Sequence, residues 1–193
     1  FKHLFETLNL LEWDLPVMEH VPFGRMSFKD KKMSTRKGNI LKLQDVFVEA
    51  VERAEAVIKE HGDRIQTDDA EGLAEIMGIG SVVYGVLSQN RRMNMVFDWE
   101  KMLSFDGNSA PYLQYTHARA KSVLRRSEEE ASSFPEGAES LNEKERVLIN
   151  QLLRFAGVLE EARRARMPHT LANFLFDLCQ SFNAFYNDTP ILK

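Results

Sequence analysis

Six cations, Lys29, Lys31, Lys32, Arg36, Lys37 and Lys42, fall between positions 29 and 42 against the single acid Asp30. Inside that stretch, Lys32-Met33-Ser34-Thr35-Arg36-Lys37-Gly38-Asn39 closes on turn chemistry. Cations on a loop beside a strand end suit a polyphosphate. When a nucleophile attacks an α-phosphate, negative charge grows on the departing pyrophosphate. Lys and Arg meet that charge more strongly in the transition state than in the bound nucleotide, which accelerates the step. Ser34 and Thr35 offer hydroxyls to phosphate oxygens or to the loop itself, and Gly38 lets the backbone turn sharply beside a ligand. On charge alone, a solvated turn or an address signal reads equally from these residues.

A second concentration of positive charge spans 112–126, where Arg119, Lys121, Arg125 and Arg126 face no acid. At about 100° per residue, Leu113, His117, Ala120 and Leu124 share one helix face, with Thr116 and Val123 at its edge. That face is expected to be core, with His117 a satisfied core histidine. Tyr112, Tyr115, Arg119 and Arg126 form a separate stripe, and Gln114, Lys121 and Arg125 flank the other side. Aromatic rings and guanidinium groups on one stripe suit stacking on unpaired bases, with cations holding the backbone. The alternative is that Tyr112 and Tyr115 pack half-buried against the next helix while Arg119 pairs with an acid.

Elements that could position these groups follow from periodicity. Residues 1–26 read as a short helix broken by Trp13-Asp14-Leu15-Pro16, then a strand from Val17 to Phe23 ending at Gly24. Val46, Phe47, Ala50, Val51, Ala54, Val57 and Ile58 recur at helical spacing, predicting a helix near 44–60 closed by His61 and a Gly62 cap. Asp68 with Glu71 predicts a capping box for a helix to about Met77, with Gly78 and Gly80 interrupting before another stretch, Val82 to Asn90. Residues 93–107 read as irregular and aromatic-rich. Ser109 and Pro111 open a helix to about Arg126, and 127–140 is a surface-loop candidate. Ser140 with Glu143 predicts a second capping box for a helix through about Arg166. Pro168 starts the last helix, with Leu171, Phe174, Leu175, Leu178, Phe182 and Phe185 on one face. No alternating strand is evident after residue 44.

The 193 residues are 44% hydrophobic and 28% charged, with net charge −4, ordinary for a globular chain. No apolar run approaches the roughly 18–20 residues of a membrane span, and the start Phe1-Lys2-His3-Leu4 resembles no signal peptide. The lone Cys179 reads as a small buried hydrophobe in a reducing compartment, and the five histidines lack metal-ligand spacing. The absence of an initial Met suggests a fragment.

The order of residue types narrows these readings. Lys32-Met33-Ser34-Thr35-Arg36 resembles the second signature of class I aminoacyl-tRNA synthetases, Lys-Met-Ser-Lys-Ser, and the string through Gly38-Asn39 resembles its arginyl-tRNA synthetase form. His20-Val21-Pro22-Phe23-Gly24 is similar to a His-Val-x-Phe-Gly strand that lines the nucleotide site in that family. Ala110-Pro111-Tyr112-Leu113-Gln114-Tyr115-Thr116-His117-Ala118-Arg119 resembles the string that opens its anticodon-binding helices. Gly78-Ile79-Gly80, Asn90-Arg91, Val96-Phe97-Asp98-Trp99, the run 168–175 and Phe182-Asn183-Ala184-Phe185-Tyr186-Asn187 extend the likeness over most of the chain. One departure is that the second signature lysine is replaced, so Arg36 or Lys37 must supply its charge.

The resemblance implies a mainly α chain: the C-terminal end of a Rossmann-type catalytic domain followed by an all-α anticodon-binding bundle. The expected domains are 1–43, the catalytic end with the signature loop; 44–105, a helical connecting region; and 106–193, a DALR-type bundle truncated at its C-terminus. It implies catalytic roles for Lys32, Arg36 and Lys37, and ATP binding by His20, Phe23, Gly24, Lys32, Met33, Ser34, Thr35 and Arg36. It implies tRNA binding by Tyr112, Gln114, Tyr115, Arg119, Arg126 and Asn173, with His169 and Asn187 also worth testing. The expected partners are tRNA-Arg, ATP with Mg2+, and arginine, in a cytoplasmic monomer with no membrane and no protein-bound metal. His-Ile-Gly-His and the arginine pocket are missing, so this stretch is expected to be inactive alone, and 27–39 to be mobile without nucleotide. A stand-alone helical module binding tRNA or a protein is the competing reading, with cysteinyl and glutaminyl relatives behind both.

Overall fold

The structure, a computed structural model, describes residues 1–13, 15–29, 42–62, 65, 67–127 and 141–191. The signature residues Lys32, Met33, Ser34, Thr35, Arg36 and Lys37, and most of the 127–140 loop candidate, lie outside the described residues.

Helix α1 covers Lys2–Leu10, and a long extended stretch leads to strand β1, Met26–Phe28. Here the expected strand shifts. Val17 to Phe23 carries no ladder, with Val17 102% and Phe23 85% exposed. The chain pairs only past Gly24, where β1 lies parallel to β2, Met95–Phe97, with Phe28 opposite Phe97. Pro22 lacks an N–H, and the side chains before it have no apolar surface to cover, so a β-like sequence alone does not make a strand there. β2 itself occupies part of the stretch expected to be irregular, which also holds a short helix α4, Trp99–Met102, capped by the Asp98 carboxylate.

Helix α2, Leu43–Glu60, follows the predicted period closely, burying Val46, Ala50, Ala54 and Ile58. It ends at His61; Gly62 donates to the Lys59 carbonyl without a left-handed backbone, so it is not the expected glycine cap. Helix α3, Ala70–Leu87, starts one residue later than the predicted box, with Asp69 accepting from the Gly72 N–H at 2.8 Å. It runs unbroken through Gly78 and Gly80. A Cβ on Gly78 would sit 2.7 Å from the backbone carbonyl of Ala50, so this glycine marks close helix approach rather than a break. Each helical glycine costs about 1 kcal/mol against alanine, a cost outweighed here by the packing it permits. α3 also corrects the reading of apolar runs: its 18 residues, mean hydropathy 1.3, reach the length and apolarity of a membrane span. In this fold it packs against α2, α4 and the helices over Ala110–Arg126 and Pro168–Asp188.

Two apolar clusters fill the seam. Val46, Ala50, Val82, Phe97 and Met102 gather with Phe28 and Phe47, while Ala54, Ile58, Ala74, Met77 and Leu103 gather with Ile65 and Phe105. Trp99 touches both. Because Phe28 and Phe47 share the first cluster, the chain on either side of the basic segment is moored to one core.

Helix α5, Ala110–Arg126, starts as predicted, with the Ser109 hydroxyl as N-cap. Helix α6, Glu143–Ala165, is opened by a capping box of Asn142 and Glu145, two residues beyond the predicted Ser140 pair. Helix α7, Pro168–Asp188, packs antiparallel to α6 and buries Phe174, which meets Phe155 at 6.1 Å. The expected core face of α5 is wrong. His117 is exposed and Leu124 is 59% exposed, while Pro111 and Thr116 are buried. The face turned to α7 is the one carrying Tyr112, Thr116 and Arg119, which hydrogen bonds to Asn183 join there.

Candidate nucleic-acid interface and nucleotide-facing segment

The Pro111 start and Ser109 cap fix where α5 begins, and therefore which way its stripe points. Tyr112, Tyr115 and Arg119 then lie over successive turns, opposite Asn183, Tyr186 and Asn187 on α7. The Arg119 Nη1 donates to Asn183 Oδ1 at 2.6 Å and Nη2 to Tyr115 Oη at 3.0 Å. Its guanidinium lies 4.8 Å from the ring centroids of both Tyr115 and Tyr186. Asn183 Nδ2 donates in turn to Thr116 Oγ1 at 2.9 Å and Tyr112 Oη at 3.1 Å. Tyr112 is backed by Phe176, 5.5 Å between rings.

Tyr112, Tyr115, Arg119, Asn183 and Asn187 line an open cleft of about 540 Å³ whose far wall is His61, Ile65, Phe105 and Asp106 from the α2 end and the loop before α5. His61 and Phe105 pair at 5.5 Å. Tyr115 keeps 51% of its surface exposed. Arg119 is held by neutral groups, an amide oxygen and a phenol, so its charge remains available to an anion. Aromatic faces with an oriented guanidinium and carboxamides can stack a planar base, neutralise a phosphate and read a polar edge.

Tyr112, Tyr115 and Arg119 of the predicted set therefore come together. The others do not join them. Gln114 Nε2 donates to the Ile76 carbonyl at 3.1 Å, against Gly80, so it fastens α5 to α3. Arg126 donates to its own helix at the Ser122 carbonyl, about two turns beyond Arg119. Asn173 accepts from Asn108 at 2.9 Å, and sits roughly 15 Å along α7 from Asn183. Asn187 lies in the cleft, whereas the His169 Nδ1 is buried. Asn183, His61 and Phe105 also line the cleft, and Tyr186 flanks Arg119; none of the four is among the expected binding residues. Asn183, Tyr186 and Asn187 recur at three- and four-residue spacing, the available signal for a shared face.

The extended segment carries the other predicted residues. His20 stacks on Phe1 at 4.1 Å, and Phe23 projects outward. Gly24 donates to the Arg91 carbonyl at 2.6 Å, and a Cβ there would meet the Met93 carbonyl oxygen at 2.0 Å, so only glycine fits. Beyond it, Met95 donates to the Arg25 carbonyl at 2.9 Å, and Lys29 lies 3.9 Å from Asp98 where the basic segment departs. The segment is thus fixed by its backbone and leaves its side chains toward solvent. Among the described residues, no group of three or more His, Cys, Asp or Glu side chains could hold a metal ion.

Cys179 is only half-buried; burial pushes its thiol up, opposed by a hydrogen bond with Thr116. Burial also pushes the Tyr84 hydroxyl up, helped by the nearby Cys179 and Asp177.

The catalytic-domain family described as tRNA synthetases class I (R) matches residues 1–99, and the DALR anticodon binding domain matches residues 113–193. An arginine–tRNA ligase of Fusobacterium nucleatum is 39% identical over 100% of this chain, and one of Actinobacillus succinogenes is 42% identical over 91% of it. The chain spans about a third of those relatives, 34% and 31% of their lengths. Among solved structures, the arginyl-tRNA synthetase of Thermus thermophilus aligns with a TM-score of 0.74 and 31% identity, covering 88% of this chain and 27% of that one. The Plasmodium falciparum arginyl-tRNA synthetase aligns at 0.76 over 98% of this chain and 33% of its own, at 24% identity, which speaks to the fold.

Proposed function

Since this chain belongs to the arginyl class I tRNA synthetase family, we propose that it is the part of an arginine–tRNA ligase joining the end of the ATP site to the tRNA-reading helices. In the whole enzyme, an arginine carboxylate oxygen attacks the α-phosphorus of ATP, forming arginyl-adenylate and releasing pyrophosphate. A ribose hydroxyl at the 3′ end of tRNA-Arg then takes the arginyl group and AMP leaves. ATP arrives with Mg2+, which shares the phosphate charge. Lys32, Arg36 and Lys37 stabilise the departing pyrophosphate, while Met33, Ser34 and Thr35 take part in binding ATP. His20, Phe23 and Gly24 wall the nucleotide. Two features support this half of the reading: both flanks of the basic segment are moored to one apolar cluster, and Gly24 is held by its backbone amide.

The observation that carries the tRNA half is the cleft in which Arg119, held by an amide oxygen and a phenol, lies between Tyr115 and Tyr186. We assign Tyr112, Tyr115 and Arg119 to direct contact with an unpaired loop of tRNA-Arg. Gln114, Arg126 and Asn173 have weaker support for contact, given where they point. In this reading 1–43 closes the catalytic domain, 44–105 connects, and 106–193 reads the anticodon; the enzyme works in the cytoplasm as a monomer. The test is binding of tRNA-Arg and a non-cognate tRNA to the chain as salt is varied. Tighter cognate binding with a steep salt slope is expected; equal, weak binding of both tRNAs overturns the reading. Pyrophosphate exchange into ATP by the same preparation is expected to be absent, because the chain spans only about a third of the length of its relatives.

A further inference from the structure

Arg91 joins three parts of the chain that are far apart in sequence. Its Nη1 donates to the Pro22 carbonyl, 69 residues away. Its Nε donates to the Arg166 carbonyl at 2.5 Å and Nη2 to the Ala165 carbonyl at 3.4 Å, across 75 and 74 residues. Its own carbonyl accepts from Gly24. The acceptors on one side are the last carbonyls of α6, where the helix turns into α7 through Arg166 in a left-handed conformation, φ 54°. A cation is favoured at such a helix C-terminus, and those carbonyls lack partners within the helix. The acceptor on the other side is the segment holding His20, Phe23 and Gly24. Arg166 adds a second tie from the same turn, Nη2 to Glu19 Oε2 at 2.6 Å.

We propose that Arg91 is a positioning residue for amino-acid activation: its guanidinium sets the Pro22–Gly24 wall of the nucleotide site against the α6–α7 turn of the tRNA-binding bundle. This rests on the function proposed above. The planar fork reaches three carbonyls at once, which the single ammonium of lysine cannot do in the same geometry. The guanidinium is spent on main-chain carbonyls of the protein. Its effect passes through Pro22 and Gly24, and it places the two binding surfaces in one frame without any chemical step of its own.

The kinetic test uses the complete enzyme. Arg91→Ala is expected to raise KM for ATP about tenfold and lower kcat for activation, with Kd for tRNA-Arg within about twofold of wild type. Arg91→Lys should show the same ATP-selective shift, smaller, and added guanidinium ion should partly restore Arg91→Ala. Glu19→Ala, which removes only the exposed ion pair, should leave KM for ATP unchanged. An Arg91→Ala enzyme with wild-type KM for ATP, or one whose defect falls equally on tRNA binding, overturns the proposal. If Arg91→Ala fails to fold, Arg91→Lys decides by the same split. A wild-type enzyme inactive in aminoacylation would count against the function, not against Arg91. In that event hydrogen exchange on this chain decides: faster exchange of amides in 19–25 in Arg91→Lys supports the strut, and unchanged exchange refutes it.

Discussion

The α2–α3 seam and the α5–α7 seam are built from opposite materials. Between α2 and α3, Ala50, Ala54 and Ala74 are sealed and Gly78 lets two backbones approach, so the contact is dry and its strength is dispersion and apolar burial. Between α5 and α7 the joint is a chain of side-chain hydrogen bonds from Tyr112 and Thr116 through Asn183 to Arg119. The first leaves nothing exposed to work with. The second holds the helices together and still presents rings and a cation to solvent. A seam that must also bind a ligand cannot be closed with small apolar side chains.

The sharpest way to break the dry seam is Gly78→Ala. The added methyl would meet Ala50 backbone, which cannot yield as a side-chain tip would. A loss of about 3 kcal/mol in unfolding free energy is expected, read by denaturant titration. A loss below about 1 kcal/mol would mean that α2 shifts to accommodate it, and that the seam is less rigid than described.

Asn183→Ala attacks the polar seam. It removes the donor to Tyr112 Oη and to Thr116 Oγ1, whose own bond to the Tyr112 carbonyl remains, and it releases Arg119 Nη1. About 2 kcal/mol of stability should be lost, and tRNA affinity should fall with it because the guanidinium is no longer oriented. Tyr115→Ala separates the two duties. That ring is half exposed, so stability should change by under about 0.5 kcal/mol while tRNA-Arg binding weakens about tenfold. Equal losses of stability and binding in Tyr115→Ala would make the cleft a packing defect rather than a binding surface.

The same contrast explains what could be read in advance. The dry seam was legible on α2, where Val46, Ala50, Ala54 and Ile58 repeat with the helical period. On α3, Gly78 and Gly80 looked like breakers because propensity is local and the partner backbone is not. Caps were displaced by a residue or two, Asp69 for Asp68 and Asn142 for Ser140, since neighbouring polar residues compete for one role. β2 is three residues whose partner lies 69 positions earlier, with no local signal of its own. The polar seam was misread on α5: apolar periodicity chose Leu113, His117 and Leu124 as core, whereas satisfied hydrogen bonds let Thr116 and Arg119 face the neighbour. The residue types of Tyr112, Tyr115 and Arg119, not their burial, single them out in the sequence, and the structure brings the three together.

Tyr84 stands where the two seams meet and supplies the smallest expected effect. Its Oη is within 2.6 Å of Asn108 Oδ1 and 2.9 Å of the Ala172 carbonyl, tying α3 to α7. One proton serves two acceptors, and a phenolate would face both oxygens with nothing to offer, in addition to losing water. Burial accordingly raises its pKa above the ordinary 10.0, and burial raises Cys179 above its ordinary 9.0. Each group binds its proton more tightly when folded. Their contribution is therefore complete below the unfolded values and is lost as pH rises, beginning near 9.0 for the thiol and near 10.0 for the phenol. Thermal melting should fall over that window. Cys179→Ala should flatten its onset and Tyr84→Phe its upper part, the latter also lowering stability by about 1 kcal/mol at neutral pH. A wild-type profile that stays level through the window, or that both variants leave unchanged, would mean that solvent reaches the junction and that the two seams meet at an open edge.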